Sequence, residues 1–366
     1  MLPSQARIGL HLNRASISLA PSVHLRSRRA ITAASMSAKD LNNQTSKDSQ
    51  TFTLPDGRAL GFSEYGHPTG FPIVFFHGWP SSRLEGYAVD KLARGRGVRF
   101  LCLERPGFGI STFQPHRRIT DYPADVAAFA RHLDLKRFAV LGASGGGPYA
   151  LACAKALPRE MLSAVGVCAG APPWVAGIRD VPWLSRITAA TAKTFPNVLR
   201  VLSDVLIGTL RWIMTSGPVT RRLDRWLEKK TEEKKAKGKE EGAPLLAEAV
   251  EVEEEKPTEV RRAQLLGLVF EGFAQGSAAF VQEAELLTSD WGFKFEDVTY
   301  DTIQIWHGDK DYQAPIGMIR YMAEHLPHAR LHEYAGVNHY AMGYKLEEIL
   351  SELVPEETIA KHRDEK

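Results

Sequence analysis

The chain has 366 residues, 44% of them hydrophobic and 24% charged, enough to bury a substantial core as one large domain with an insertion or as two small ones. Its formal charge of +3 is gathered at the start: residues 1–39 hold six Lys and Arg and no acid, leaving 40 basic against 43 acidic residues in the rest. That balance gives no basic face for nucleic acid, and no run reaches the length and purity of a transmembrane helix. The nearest, Val201–Met214, is interrupted by Asp204 and Arg211.

Residues 1–50 are expected to be a disordered or targeting segment. In the first 36 or so residues Arg7, Arg14, Arg26, Arg28 and Arg29 stand among Ser, Ala and Leu with no acid, the composition of a mitochondrial or chloroplast transit peptide. The alternatives are a disordered tail, or sequence upstream of a start at Met36. The location predicted is intracellular, mitochondrial or in another organelle if the segment is read by an import system, and otherwise cytoplasmic.

Order begins at Thr51, where Asp56-Gly57 separates two short alternating runs over 51–65, a hairpin signal. Pro72–Phe76 and Val98–Leu103 follow as apolar strands, then a helical segment Tyr122–Leu133, and then the strands Phe138–Leu141 and Ala164–Cys168. Continuous apolar strands alternating with helical segments imply an α/β fold, an open and mostly parallel sheet covered by helices on both faces. Cys102, Cys153 and Cys168 fall in these core segments, so reduced thiols and a non-secreted protein are expected.

From about Pro172 to Thr299 the strand and helix alternation stops. The pattern predicts helices over Trp183–Phe195, Val198–Met214, Val219–Lys230 and Val260–Leu287, an inserted helical lid between two parts of one core, 51–171 and 300–366. Within it, 228–262 is dominated by Lys and Glu and is expected to be disordered or a loosely packed solvated helix. The helix near Val198–Met214 is a candidate for weak contact with a lipid surface. A final strand is predicted at Thr302–Trp306.

Ser144 lies in Gly142-Ala-Ser-Gly-Gly146, where the strand 138–141 turns directly into a helical pattern. A serine on so tight a turn has strained backbone angles, and residues two before and two after must be nearly free of side chain, which Gly142 and Gly146 provide. A serine hydroxyl needs a base to take its proton and a third group to orient that base. The sequence offers Asp309 and Asp311 after the last strand, in Trp306-His-Gly-Asp-Lys-Asp311, and His339 on a later loop. Asp311 is preferred, because Asp309 hugs the turn where a short side chain caps backbone amides; Asp180 is a distant third. His325, His328 and His332 do not read as a metal cluster, since Pro327 interrupts any helix that would align them. No metal or other cofactor is expected.

An oxyanion requires preorganised N–H donors. His77-Gly78-Trp79-Pro80, at the end of the strand 72–76, makes a turn that can aim the Trp79 amide, and Gly145 supplies a second amide at a helix start. His77 is read as a prop for that turn.

His77-Gly-Trp-Pro80, Glu104-Arg-Pro-Gly-Phe-Gly-Ile-Ser111, Gly142-Ala-Ser-Gly-Gly146, Gly308-Asp-Lys-Asp311 and Asn338-His339 together resemble the α/β-hydrolase fold serine hydrolases over about Thr51 to Leu350. The resemblance implies a Ser144, Asp311, His339 triad and an oxyanion hole of Trp79 and Gly145, with Glu104-Arg105 structural. The His-Gly-Trp-Pro turn is also similar to that of epoxide hydrolases, which attack with a carboxylate where this chain has Ser144, so acyl transfer to water is the better expectation.

The expected activity is hydrolysis of an ester of a small or medium, apolar molecule. Trp174, Trp183 and Trp212 are candidates for the pocket roof. The alternatives are another acyl or carbon–carbon bond hydrolase, aminopeptidase-like or acting on a ring-cleavage product, and a non-catalytic binding protein of the same fold.

Overall fold

The computed structural model describes residues 47–237 and 256–365. The expected targeting segment up to residue 46, and 238–255 of the charged stretch, lie outside the described residues. Strands β1 (Gln50–Thr53), β2 (Ala59–Gly66), β3 (Phe71–Phe76), β4 (Val98–Leu103), β5 (Phe138–Ala143), β6 (Leu162–Cys168), β7 (Ile303–Gly308) and β8 (Ala329–Tyr334) form one sheet ordered β1-β2-β4-β3-β5-β6-β7-β8. The hairpin β1-β2 pairs antiparallel with itself and with β4, and every other pairing is parallel.

Helices α1 (Asp90–Gly95), α2 (Tyr122–His132) and α3 (Gly147–Ala156) connect the first parallel strands. α4 (Trp183–Thr194), α5 (Pro196–Met214), α6 (Gly217–Lys237), α7 (Thr258–Phe270) and α8 (Ala278–Leu287) lie between β6 and β7, and α9 (Ile316–His325), α10 (Leu346–Leu353) and α11 (Glu356–Asp364) complete the chain. Strand side chains alternate between faces, and the two cores divide accordingly. Val74, Phe76, Leu101 and Val140 pack with α2, α3 and α9, while Ile73, Phe75, Phe100 and Leu141 pack with α1, α10 and Ile359 of α11. Burial on both faces is why these strands read as unbroken apolar runs.

Two expectations are corrected. The chain has a further strand after 302–306: β8, with sequence Ala-Arg-Leu-His-Glu-Tyr, sits half-exposed at the sheet edge, so its apolar content is too low to mark it. The helix expected over Val260–Leu287 is two, α7 and α8, broken by a turn in which Gly276 adopts φ +89° and the Asp204 carboxylate accepts from the Ser277 N–H at 2.7 Å. Lys and Glu at 228–237 continue α6. Cys102, Cys153 and Cys168 are buried and free. No helix among the described residues is long and apolar enough to cross a membrane.

Candidate active site

The C-terminal ends of β3, β5 and β7 deliver their loops to one point. Ser144 follows β5 directly at φ +49°, a left-handed conformation that a residue with a side chain seldom adopts. Glycines make the turn possible: a Cβ at Gly142 would lie 2.3 Å from the Gly146 carbonyl oxygen, and one at Gly146 would lie 2.1 Å from that of Phe76. The turn therefore fits only against a bare backbone, and it leaves Ser144 half-exposed at the start of α3.

Asp311 and His339 meet Ser144 from the loops after β7 and β8. His339 Nδ1 donates to Asp311 Oδ2 at 2.6 Å, which leaves Nε2 free to accept from the Ser144 hydroxyl at 3.1 Å. Asp311 is buried, and its Oδ1 accepts from the Gln313 and Ala314 amides, each at 2.9 Å. His307 stands beside it, 2.8 Å from the Ala314 carbonyl and 3.3 Å from Asp311 Oδ2, with its pKa pushed down by burial. Asp309 points away from this cluster, and its Oδ1 accepts from the Gly336 N–H at 2.6 Å. Two acids on one loop thus do different jobs, one anchoring a turn and the other holding the histidine. Asp180 is exposed, outside the cluster.

The His77–Pro80 turn closes over Ser144 from the other side. A Cβ at Gly145 would lie 2.7 Å from Trp79 Cβ and 3.2 Å from Trp79 N, so turn and helix start touch only because residue 145 is glycine. The Gly145 N–H belongs to a first helical turn, whose donors lack intrahelical acceptors, and the Trp79 N–H has no partner among the loop hydrogen bonds of the described residues. His77 is buried and props the turn: Nδ1 donates to the Gly78 carbonyl at 2.8 Å, and Nε2 accepts from the Arg105 N–H at 3.3 Å. Desolvation, then the nearby Arg105 cation, hold its pKa well below the ordinary range, so the ring is neutral.

Three further residues belong to the site that sequence reasoning did not single out. Glu85 accepts from the Gly78 N–H at 2.7 Å and lines the cavity beside Ser144, with its pKa raised by burial. Gln313 lines both cavities described below. Glu283, on α8, is buried between Arg105, at 2.7 Å, and Arg117, and accepts from the Tyr149 hydroxyl at 2.9 Å. Arg105 donates in turn to the carbonyls of His77 and Gly78, and Trp79 stacks on Phe280 of α8 with 4.8 Å between ring centroids. Glu104 is buried and pairs with Arg83 at 2.6 Å. The local sequence around Glu283, Val281-Gln-Glu-Ala-Glu285, does not set this acid apart, and its two arginine partners lie more than 160 residues earlier.

Two cavities meet at Ser144 and His339. One, of about 320 Å³, is lined by Glu85, Ala88, Leu268, Val269 and Met342; the other, of about 300 Å³, by Trp174, Val181, Leu184, Phe280 and Leu287. Of the tryptophans expected in the roof, Trp174 lines the second cavity, whereas Trp183 and Trp212 stand 70% and 73% exposed to solvent. No group of three or more His, Cys, Asp or Glu among the described residues forms a metal site.

The chain is similar to proteins named as peroxidases, peptidases and esterases. The chain is 36% identical to a non-heme chloroperoxidase of Streptomyces lividans over 34% of its own length and 46% of the relative's. It is 31% identical to a proline iminopeptidase of Xylella fastidiosa over 29% of its length and 35% of that protein's. These alignments therefore span less than half of either relative. A putative aryl esterase from Burkholderia cenocepacia has the same fold, with a TM-score of 0.54 at 16% identity, covering 86% of this chain and 99% of the other. The model of the alpha/beta hydrolase fold family matches residues 72–346, most of the chain and every strand from β3 to β8, and the chain belongs to that family.

Proposed function

We propose that the chain is a serine hydrolase that cleaves an ester of a small or medium, apolar molecule through an acyl-enzyme. The observation that carries this reading is the continuous contact from Asp311 through His339 to Ser144, at 2.6 and 3.1 Å, on a serine held at φ +49°. His339 Nε2 takes the hydroxyl proton as Ser144 Oγ attacks the carbonyl carbon, and Asp311 stabilises the imidazolium. The oxyanion is received by the amides of Trp79 and Gly145. His339 then returns the proton to the leaving alcohol, and the same ring activates the water that releases the acid.

In this reading residues 51–171 and 300–366 are the hydrolase core and 172–299 the lid. Trp174, Val181 and Leu184 of that segment line the second cavity, which supports the assignment and an apolar substrate. The two cavities, about 320 and 300 Å³, give separate room to the acyl and alcohol parts on either side of Ser144.

A fluorophosphonate probe tests the chemistry. Wild type should label, Ser144→Ala should not, and His339→Ala should label far more slowly. Undiminished labelling of Ser144→Ala overturns the proposal.

A second reading, cleavage of an amide that carries a free amine, is favoured by the Glu85 carboxylate in the first cavity. Glu85→Gln would then weaken hydrolysis of amine-bearing amides while sparing neutral esters, and equal effects on both would remove this reading.

A further inference from the structure

We infer that the outer face of α4 and α5 docks on a membrane surface bearing anionic lipids. α5 runs for 19 residues without one buried residue. At 100° per residue, Val198, Val201, Leu202, Val205, Leu206 and Trp212 fall within an arc of about 140°. They are between 53% and 73% exposed, and Trp183, Ile187 and Phe195 of the preceding helix and its end are exposed by 53% to 70%. Isolated apolar residues on a surface need no explanation, but a contiguous stripe on two successive helices, with tryptophans at its ends, marks a binding surface. The inner side of α5 is already occupied, with Leu199 packed against Ala192, Val281 and Ala284.

Charge selects the occupant. From Trp174 to Trp226 the chain holds eight Arg and Lys against three Asp, although the chain after residue 39 has more acids than bases. Two of those three acids are engaged within the protein, Asp204 by the Ser277 N–H and Asp224 by Arg262. Arg179, Arg186, Lys193 and Arg200 are exposed, and the side chains of Arg186 and Lys193 donate to backbone carbonyls. A second copy of the same face would bring like charges together across a two-fold axis. An apolar stripe with Trp and Phe beside Arg and Lys is instead the pattern of a helix that lies in a bilayer interface, where each cation gains from anionic headgroups.

The docking face adjoins the proposed active site. Leu184 is 60% exposed and also lines the second cavity against Ser144. Resting on the reading of Ser144 as nucleophile, this deepens the substrate class to an amphipathic ester taken from the lipid surface.

The test is flotation of the full chain with vesicles of phosphatidylcholine alone, or of equal parts phosphatidylcholine and phosphatidylglycerol. Binding should favour the anionic vesicles by about tenfold or more and weaken with added salt. Leu206→Glu with Trp212→Glu should abolish that preference while hydrolysis of a short soluble ester stays unchanged, since neither residue lines a cavity. Three results would overturn the inference: no binding to either vesicle, binding that persists in the double variant and so comes from the basic N-terminal residues, or a dimer that the double variant dissolves. Wild type that floats with anionic vesicles but takes no fluorophosphonate label would remove the proposed chemistry and leave vesicle binding standing.

Discussion

Asp311→Asn tests the site most sharply, because the structure fixes which way the new amide must point. Asp311 Oδ1 accepts from two backbone amides at 2.9 Å, and Oδ2 accepts from His339 Nδ1 at 2.6 Å. A carboxamide has one acceptor oxygen. Turned with its NH₂ toward the amides of Gln313 and Ala314, it would lose two hydrogen bonds and leave buried donors unpaired, at about 1–3 kcal/mol each. The oxygen therefore stays on the amides and the NH₂ faces His339 Nδ1, which must now accept. The imidazole proton moves to Nε2, and the ring presents a donor where Ser144 needs a base. Where a triad operates, this exchange lowers turnover by about 10⁴, or about 5.5 kcal/mol.

The assay is kcat and KM on a short chromogenic ester at neutral pH, with thermal unfolding as the control for fold. Asp309→Asn keeps the oxygen that accepts from Gly336 and should stay within about a factor of ten of wild type. A folded Asp311→Asn that keeps more than about a tenth of wild-type turnover, or an equal fall in both variants, would refute the reasoning.

Three other outcomes follow from the same geometry. Glu283→Ala strips the carboxylate from two buried guanidinium groups and should cost about 3–5 kcal/mol in chemical denaturation; a loss under about 1 kcal/mol would mean that water or Tyr149 compensates. Gly146→Ala, whose Cβ would meet the Phe76 carbonyl at 2.1 Å, should abolish probe labelling even in protein that folds, so normal labelling at wild-type stability contradicts the account of the turn. His77 is neutral when folded and its pKa is held well below the ordinary value of about 6.5, so the unfolded chain binds the extra proton. The stability it contributes is complete above that ordinary value and is lost as pH falls below it, by up to about 1.4 kcal/mol per pH unit. His77→Asn should make the measured stability less steep in pH there, and unchanged slopes would rule this out.

The parts of the fold written in local pattern were legible in the sequence. β3 to β7 are buried on both faces and announce themselves as apolar runs, and the glycines around Ser144 mark a turn that only bare backbone allows. β8 was hidden because an edge strand is half-solvated and mixes Arg, His and Glu with apolar residues. The choice between Asp309 and Asp311 depended on where the backbone after β7 aims each side chain, a matter of two residues that pattern constrains only through turn chemistry. Glu85 and Glu283 were out of reach for a different reason. Glu85 matters through the amide of Gly78, and Glu283 through Arg105 and Arg117, contacts across loops and elements that leave no local trace.

The buried cluster around Glu283 also sets a rule for grafting. Arg105 belongs to the loop after β4 and Arg117 to the segment before α2, whereas Glu283 comes from the last helix before β7. A transplanted segment between β6 and β7 that brought a neutral residue to position 283 would leave two cations buried behind the His77–Trp79 turn. Exchange of this segment between relatives, by design or by recombination, is therefore constrained to keep α8 with its host loops.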